Sequence, residues 1–283
     1  MAVSRDLSAL ERLLDDPSPV VREALISRVR KSGAAGIRWL RDLAAHPELG
    51  EHAREVLRRL GTPEAAAHAL LAVARDPAAG LERGMVALER VLNPGLPEAA
   101  VSGPLDALAE RARGLMVAPT DRRTRLRTLS RVIFGEAGFR GAEDSSDQPE
   151  TSLISRVLER RRGNPLSLCA IYLLVARRLG IPLEPVGVPG RFMVGWFGEG
   201  EPIYVDAFAG GAFRTRDEIR LALRDNELPE DDAFLLPVGP RETLARACRN
   251  LATQHAEQGD AARAEAFASL AKAIAPAQPD GHA

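Results

Sequence analysis

An α+β fold, mostly helical, is what the sequence predicts, on three grounds. Ala, Leu and Arg dominate long stretches of helical period, while aromatic residues make up only 4% of the chain. Residues 166–176 are apolar on nearly every side, as a helix at the centre of a core must be. After them, residues 191–197 and 203–206 read as two short strands about a Gly-Glu-Gly-Glu turn at 198–201. A buried helix on a small antiparallel sheet is an α+β arrangement. Helices precede and follow it, so the expected organisation is a helical lobe at 1–93, a core at 94–239 and a helical hairpin at 240–283.

Composition bounds the function. With 283 residues, 45% hydrophobic and 27% charged, the chain has an ordinary globular balance and room for a sizeable core. A formal net charge of -1 gives no global pull toward nucleic acid or an anionic membrane. The two cysteines, Cys169 and Cys248, both in apolar helical surroundings, make neither a disulfide framework nor a zinc cluster, and a reducing cytoplasm is the simplest setting. The first residues are charged and amphipathic, unlike a signal peptide, and no apolar run approaches the roughly 18 residues that span a bilayer. No cofactor, metal, nucleic-acid or membrane partner is expected.

The first third is a series of amphipathic helices, expected at 4–14, 19–32, 34–45, 49–60, 63–75 and 81–92. Asp-Pro-Ser-Pro breaks the first from the second, and Gly61 stops the fourth. The stretch LLDDPSPVVREALISRVRKSG resembles a HEAT repeat through its Asp-Pro turn and following Val-Arg. That resemblance implies stacked helix pairs, which either present a concave surface to a partner or pack as a lobe on the next domain. His46, His52 and His68 lack a second ligand at metal spacing and read as surface histidines.

Further helices are expected at 105–115, 122–134 and 151–162. The second carries Arg122, Arg123, Arg125, Arg127 and Arg131 around an apolar stripe of Leu126, Leu129 and Ile133. Such a face can contact phosphates, but the expectation is a solvated face pairing with nearby carboxylates. Residues 135–150 read as an irregular loop, whose Glu143, Asp144 and Asp147 lack an EF-hand pattern. Gly163 is expected to stop the helix before it.

Asn164 is a good N-cap and Pro165 suits the first turn of the central helix; Arg177 and Arg178 close it before Gly180-Ile181-Pro182. The segments RRGNPLSLCAIYLLVARRLGIP, VPGRFMV and VDAFAGG resemble the transglutaminase-like superfamily, and more closely its SirB1-like branch. The resemblance implies a papain-type mechanism. A cysteine at the helix N-terminus attacks an amide carbonyl, a histidine at the start of the next strand takes its proton, and an aspartate on the following strand orients the histidine. A helix N-terminus and an imidazole lower a thiol pKa, and the third group fixes the tautomer.

On that pattern the nucleophile position falls at Pro165, which has no thiol. Ser167 is the nearest hydroxyl. Cys169 lies deeper in the helix and reads as a buried, inert residue. The histidine position is Arg191, which stays protonated and cannot act as a base. Only the aspartate is kept, as Asp206. Arg191 and Asp206 are expected to begin adjacent strands at matching ends, where an Arg–Asp ion pair replaces the His–Asp pair. Asn164, Pro165, Ser167, Cys169, Arg191 and Asp206 are therefore the candidates for a vestigial cleft, and His255 and His282 lie too far along the chain to rescue it.

Thr215 caps an expected helix at 216–223, and two helices follow at 241–258 and 261–274. The stretch NLATQHAEQGDAARAEAFASLAKAIAPAQP resembles a tetratricopeptide helix pair, with Ala256, Gly259, Ala264 and Pro276 at the motif's spacing. The expected function is a catalytically degenerate scaffold or interaction module with a protein partner. The alternative is a cysteine- or serine-dependent amide hydrolase or acyltransferase at a non-standard site, using Cys169 or Ser167, with Arg191 binding a substrate carboxylate or an oxyanion.

Overall fold

A computed structural model describes residues 10–60, 63–117, 121–143, 147–198 and 200–275. Most of the expected first helix, with Gly61, Asp144, Glu199, Pro276 and His282, lies outside the described residues. The described residues form two compact units. One takes the chain up to Leu70 together with Arg90–Gly95, and the other takes Leu71–Glu89 and everything from Leu96 onward.

In the first unit, helices α1 (Pro19–Lys31), α2 (Gly33–Leu43) and α3 (Gly50–Leu60) enclose a core of Leu14, Leu25, Ile26, Val29, Leu40, Ala53 and Val56. Their apolar residues recur at three- and four-residue spacing, which is why this face is buried while Glu51–Arg54 and Glu55–Arg59 pairs lie on the outside. Next in the chain are α4 (Pro63–Arg75) and α5 (Gly80–Arg90).

The second unit is built on α9 (Pro165–Arg178), in which residues 166–176 are all buried. Around it lie α6 (Ala99–Arg113), α7 (Arg122–Ser130) with a π-helical turn at Arg131–Glu136, and α8 (Ile154–Arg160). Tyr172, wholly buried in α9, donates to the Leu126 carbonyl at 3.1 Å, shares a hydrogen bond with Ser130 and stacks on Phe134. At the C-terminal end, Arg178 makes a two-pronged ion pair with Glu82 at 2.8 and 2.9 Å and a third contact to Asp106. Those bonds, Glu82's first, hold its guanidinium above its usual pKa, and they place positive charge where the helix dipole favours it.

The sheet has four antiparallel strands in the order β3 (Glu184–Val186), β4 (Met193–Trp196), β5 (Ile203–Asp206) and β6 (Ala212–Arg214). Only the inner two were expected. The outer strands are three residues each, too short for alternation to register, and Pro185 sits inside β3, where proline is tolerated because the strand is at an edge. Val194 opposes Val205, and Val205 opposes Phe213. The opposite face, with Val186, Met193 and Tyr204, packs on Ile219 and Leu223 of α10 (Arg216–Asp225) and on Leu235. Thr215 and Glu218 form a capping box at the start of α10.

Gly163 does a different job from the one expected. Helix α8 ends at Arg161, in the left-handed region at φ 60°, and Arg162–Gly163 then forms β2, parallel to β1 (Arg140–Gly141) within the expected loop. A Cβ at 163 would lie 2.6 Å from Ser167 Oγ and 2.8 Å from a Val157 methyl, so glycine is needed for close approach rather than as a helix stop.

The chain closes with α11 (Pro240–Glu257) and α12 (Ala261–Ile274), an antiparallel hairpin turned at Gly259. His255 is buried against Phe267, the rings near-parallel at 5.7 Å, and neither ring nitrogen has a hydrogen-bond partner. No described helix is long and apolar enough to cross a membrane.

Two outcomes follow from this packing. Gly163→Ala should lose about 1–3 kcal/mol by overpacking, read from the urea midpoint; a loss within experimental error would mean the contact relaxes freely. Burial, and then the charge of Arg263, lower the His255 pKa from its ordinary 6.5. The unfolded chain therefore takes up a proton first, and stability falls as pH drops below about 6.5 toward the lowered native value. His255→Leu should flatten that part of the profile between pH 5 and 7.5; an unchanged slope would assign it elsewhere.

Candidate functional site

The site has two parts, the N-terminus of α9 and the end of the sheet beside it. At the helix end, Asn164 Oδ1 accepts the Ser167 N–H at 2.8 Å, so the cap is made as expected. The rest of the cap comes from far along the chain. Asn164 Nδ2 donates to Ser152 Oγ at 2.6 Å, and Ser152 donates to Gln254 Oε1 at 2.7 Å. Gln254 Nε2 donates to Thr151 Oγ1 at 3.0 Å, which in turn donates to the Gln148 carbonyl. Ser167 Oγ donates to the Thr151 carbonyl at 2.7 Å, with Asn164 O also within reach at 3.1 Å. Asn164, Ser152, Thr151, Gln254 and Ser167 are all buried. The Ser167 hydroxyl is thus committed to backbone carbonyls, with no imidazole or carboxylate beside it to take its proton.

At the sheet end, Arg191 Nη1 lies 2.6 Å from Asp206 Oδ2. The expected ion pair is present, with one correction. Asp206 is the last residue of β5, not the first, and the antiparallel pairing of β5 with β4 is what returns it to the end that Arg191 approaches. Arg191 itself precedes β4, which begins at Met193 rather than at 191. Asp206 has no solvent exposure, whereas the Arg191 side chain is 44% exposed. The other carboxylate oxygen accepts the Ala209 N–H at 3.0 Å, and Arg214 Nε stands 3.7 Å from Oδ2. Burial of a carboxylate requires such partners. Arg214 and Gln254 were missed in the sequence. The first sits on an unforeseen strand beyond the Gly210–Gly211 turn, and the second is 102 and 103 residues from its partners.

Cys169 joins the two parts. Its thiol, fully buried, donates to the Phe192 carbonyl at 3.2 Å. Burial pushes its pKa far above the ordinary value, and the charge of Asp206 pushes it further. Four residues earlier on the same helical face stands Pro165, about one turn closer to the N-terminus. Position 165 offers only a pyrrolidine ring. No hydrogen bond or ion pair links Asn164 or Ser167 to Arg191 or Asp206. A cavity of about 350 Å³ opens beside Arg191 and Arg214, walled by Met193, Ile219, Leu223 and Leu228. Among the described residues no three His, Cys, Asp or Glu side chains gather as a metal site would require.

Residues 99–249, just over half of the chain, match the family described as the transglutaminase-like superfamily. The chain belongs to that superfamily. The matched segment of this superfamily member contains α9, the four-stranded sheet and both parts of the site except Gln254. A UPF0162 protein of Xylella fastidiosa is 35% identical over 162 residues, covering 55% of this chain and 58% of that one. A UPF0162 protein of Pseudomonas aeruginosa is 35% identical over 154 residues, 54% of this chain and 51% of the relative. F-box only protein 21 of Mus musculus is 35% identical over 101 residues, 33% of this chain and 16% of that protein. The chain thus spans little more than half the length of these two bacterial relatives. No solved structure matches.

Removing Arg191 should be costlier than its exposure suggests, because Asp206 would stay buried with one backbone donor and a distant guanidinium. Arg191→Met should lose about 1–3 kcal/mol, and Arg131→Met, an exposed partner of Glu136, less than about 1 kcal/mol. Equal losses in urea titrations would show that Arg214 takes over the carboxylate.

Proposed function

We propose that this chain is a catalytically degenerate transglutaminase-like protein that acts as a scaffold or protein-interaction module. Its main support is the state of the position where the superfamily resemblance puts the base. Arg191 stands there, charged at any physiological pH and held on Asp206 at 2.6 Å. A guanidinium cannot take a thiol proton, and position 165 has no thiol to give one. The two remaining nucleophile candidates are spent: Cys169 is buried with a raised pKa and bonded to a carbonyl, and Ser167 is bonded into the helix cap.

We further place the chain in the SirB1-like branch, with a HEAT-like lobe before the core and a tetratricopeptide-like hairpin after it. Helix pairs of both kinds are suited to protein contact. In keeping with a module that serves larger assemblies, a similar segment forms 16% of a protein named for an F-box. The vestigial cleft is then the Arg191–Asp206 end of the sheet, with Asn164, Pro165, Ser167 and Cys169 forming its supporting wall.

The test is chemical. At pH 7.5 the native chain should react with iodoacetamide at Cys169 at least a hundredfold more slowly than after unfolding in urea, and should hydrolyse no amide substrate. Rapid labelling of Cys169 in the native state, or amidase activity abolished by Cys169→Ala, would favour the hydrolase or acyltransferase alternative and sink the degenerate one.

A further inference from the structure

The arginine-rich helix α7 differs from what a solvated basic face would show. Four of its arginines lie over aromatic rings. Arg122 and Arg125 lie over the Trp196 ring, their guanidinium carbons 5.9 and 5.8 Å from its centroid. Arg123 and Arg127 lie over Phe213 at 5.6 and 5.8 Å. Among the described residues, none of these four pairs with a carboxylate. Arg125 donates to the Leu179 carbonyl, and Arg122 Nη1 is buried with no hydrogen-bond partner among the described residues. Asp121, the N-cap of α7, is taken up by Thr124 at 3.0 and 2.6 Å. Arg131, one turn further on, is different: it pairs with Glu136.

We propose that this face is the docking site for an acidic segment of a protein partner, whose carboxylates bind the in-plane N–H donors of the stacked arginines. A guanidinium held over a ring by a cation–π contact keeps a fork of N–H donors that can meet a carboxylate in two-pronged fashion. It also fixes long side chains before binding, which reduces the entropy lost on association. The run from Arg122 to Arg127 extends about 7.5 Å along the helix. That span suits carboxylates at alternate positions of an extended strand, about 6–7 Å apart.

A nucleic acid is the poorer fit. Single-stranded nucleic acids are held by stacking bases on open aromatic faces. Here the rings lie beneath the arginines, with Trp196 only 6% exposed, and the whole chain carries a net charge of -1. This docking site rests on the interaction-module reading above. Its readout is binding rather than turnover, so a reactive Cys169 would overturn that reading without deciding this one.

The experiment titrates a fluorescein-labelled hexaglutamate peptide with the full chain at 50 mM salt, followed by anisotropy. Saturable binding is expected, weakened about tenfold in Arg123→Ala/Arg127→Ala, two exposed positions whose loss should leave the circular dichroism unchanged. Arg160→Ala/Arg162→Ala, also exposed but away from any ring stack, should bind like wild type. Lack of saturable binding, unchanged affinity in the first pair, or equal weakening in the second would overturn the proposal. So would tighter binding of a thymidine oligonucleotide of equal charge, which would assign the face to nucleic acid.

Discussion

The unpaired N–H groups at the start of a buried helix must find partners without water, and this requirement organises the second unit. Helix α9 is apolar on all sides, so its N-terminus cannot turn to solvent. The chain meets the demand with Asn164 and then satisfies Asn164 in turn, through Ser152, Gln254 and Thr151. Residues about 12 and about 100 positions apart are thereby held at one point. Gly163 belongs to the same arrangement, since its missing side chain lets Ser167 reach the Thr151 carbonyl.

The positive end of α9 is met by the Asn164 side chain, which is itself held by Ser152. The sheet end tells a parallel story. A buried aspartate neutralises a guanidinium, and the Ala209 N–H completes its coordination. Both halves of the site are well satisfied, which favours rigidity.

Much of this was legible in the sequence. The bounds of α9, its Asn164 cap, the buried Cys169 and the Arg191–Asp206 pair could all be read because each is set by residues close in sequence or by a recognisable motif. What could not be read depends on tertiary approach. Strands β3 and β6 carry too few residues for periodicity. Arg161 takes a left-handed conformation because the chain must turn into β2, and Gly163 serves packing. The arginines of α7 have the spacing of an ordinary exposed face. Only the fold brings Trp196 and Phe213, from strands β4 and β6, beneath them.

Gln254 gives the C-terminal hairpin a meaning that its helical period does not convey. A side chain on α11 both accepts from Ser152 and donates to Thr151, so it is a structural neighbour of the central helix's first turn. A protease cut that released the hairpin would strip buried hydroxyls and an amide of their partners, each worth roughly 1–3 kcal/mol. In sequence the hairpin looks like a detachable coda. In the folded chain it is the keystone over the first turn of the central helix.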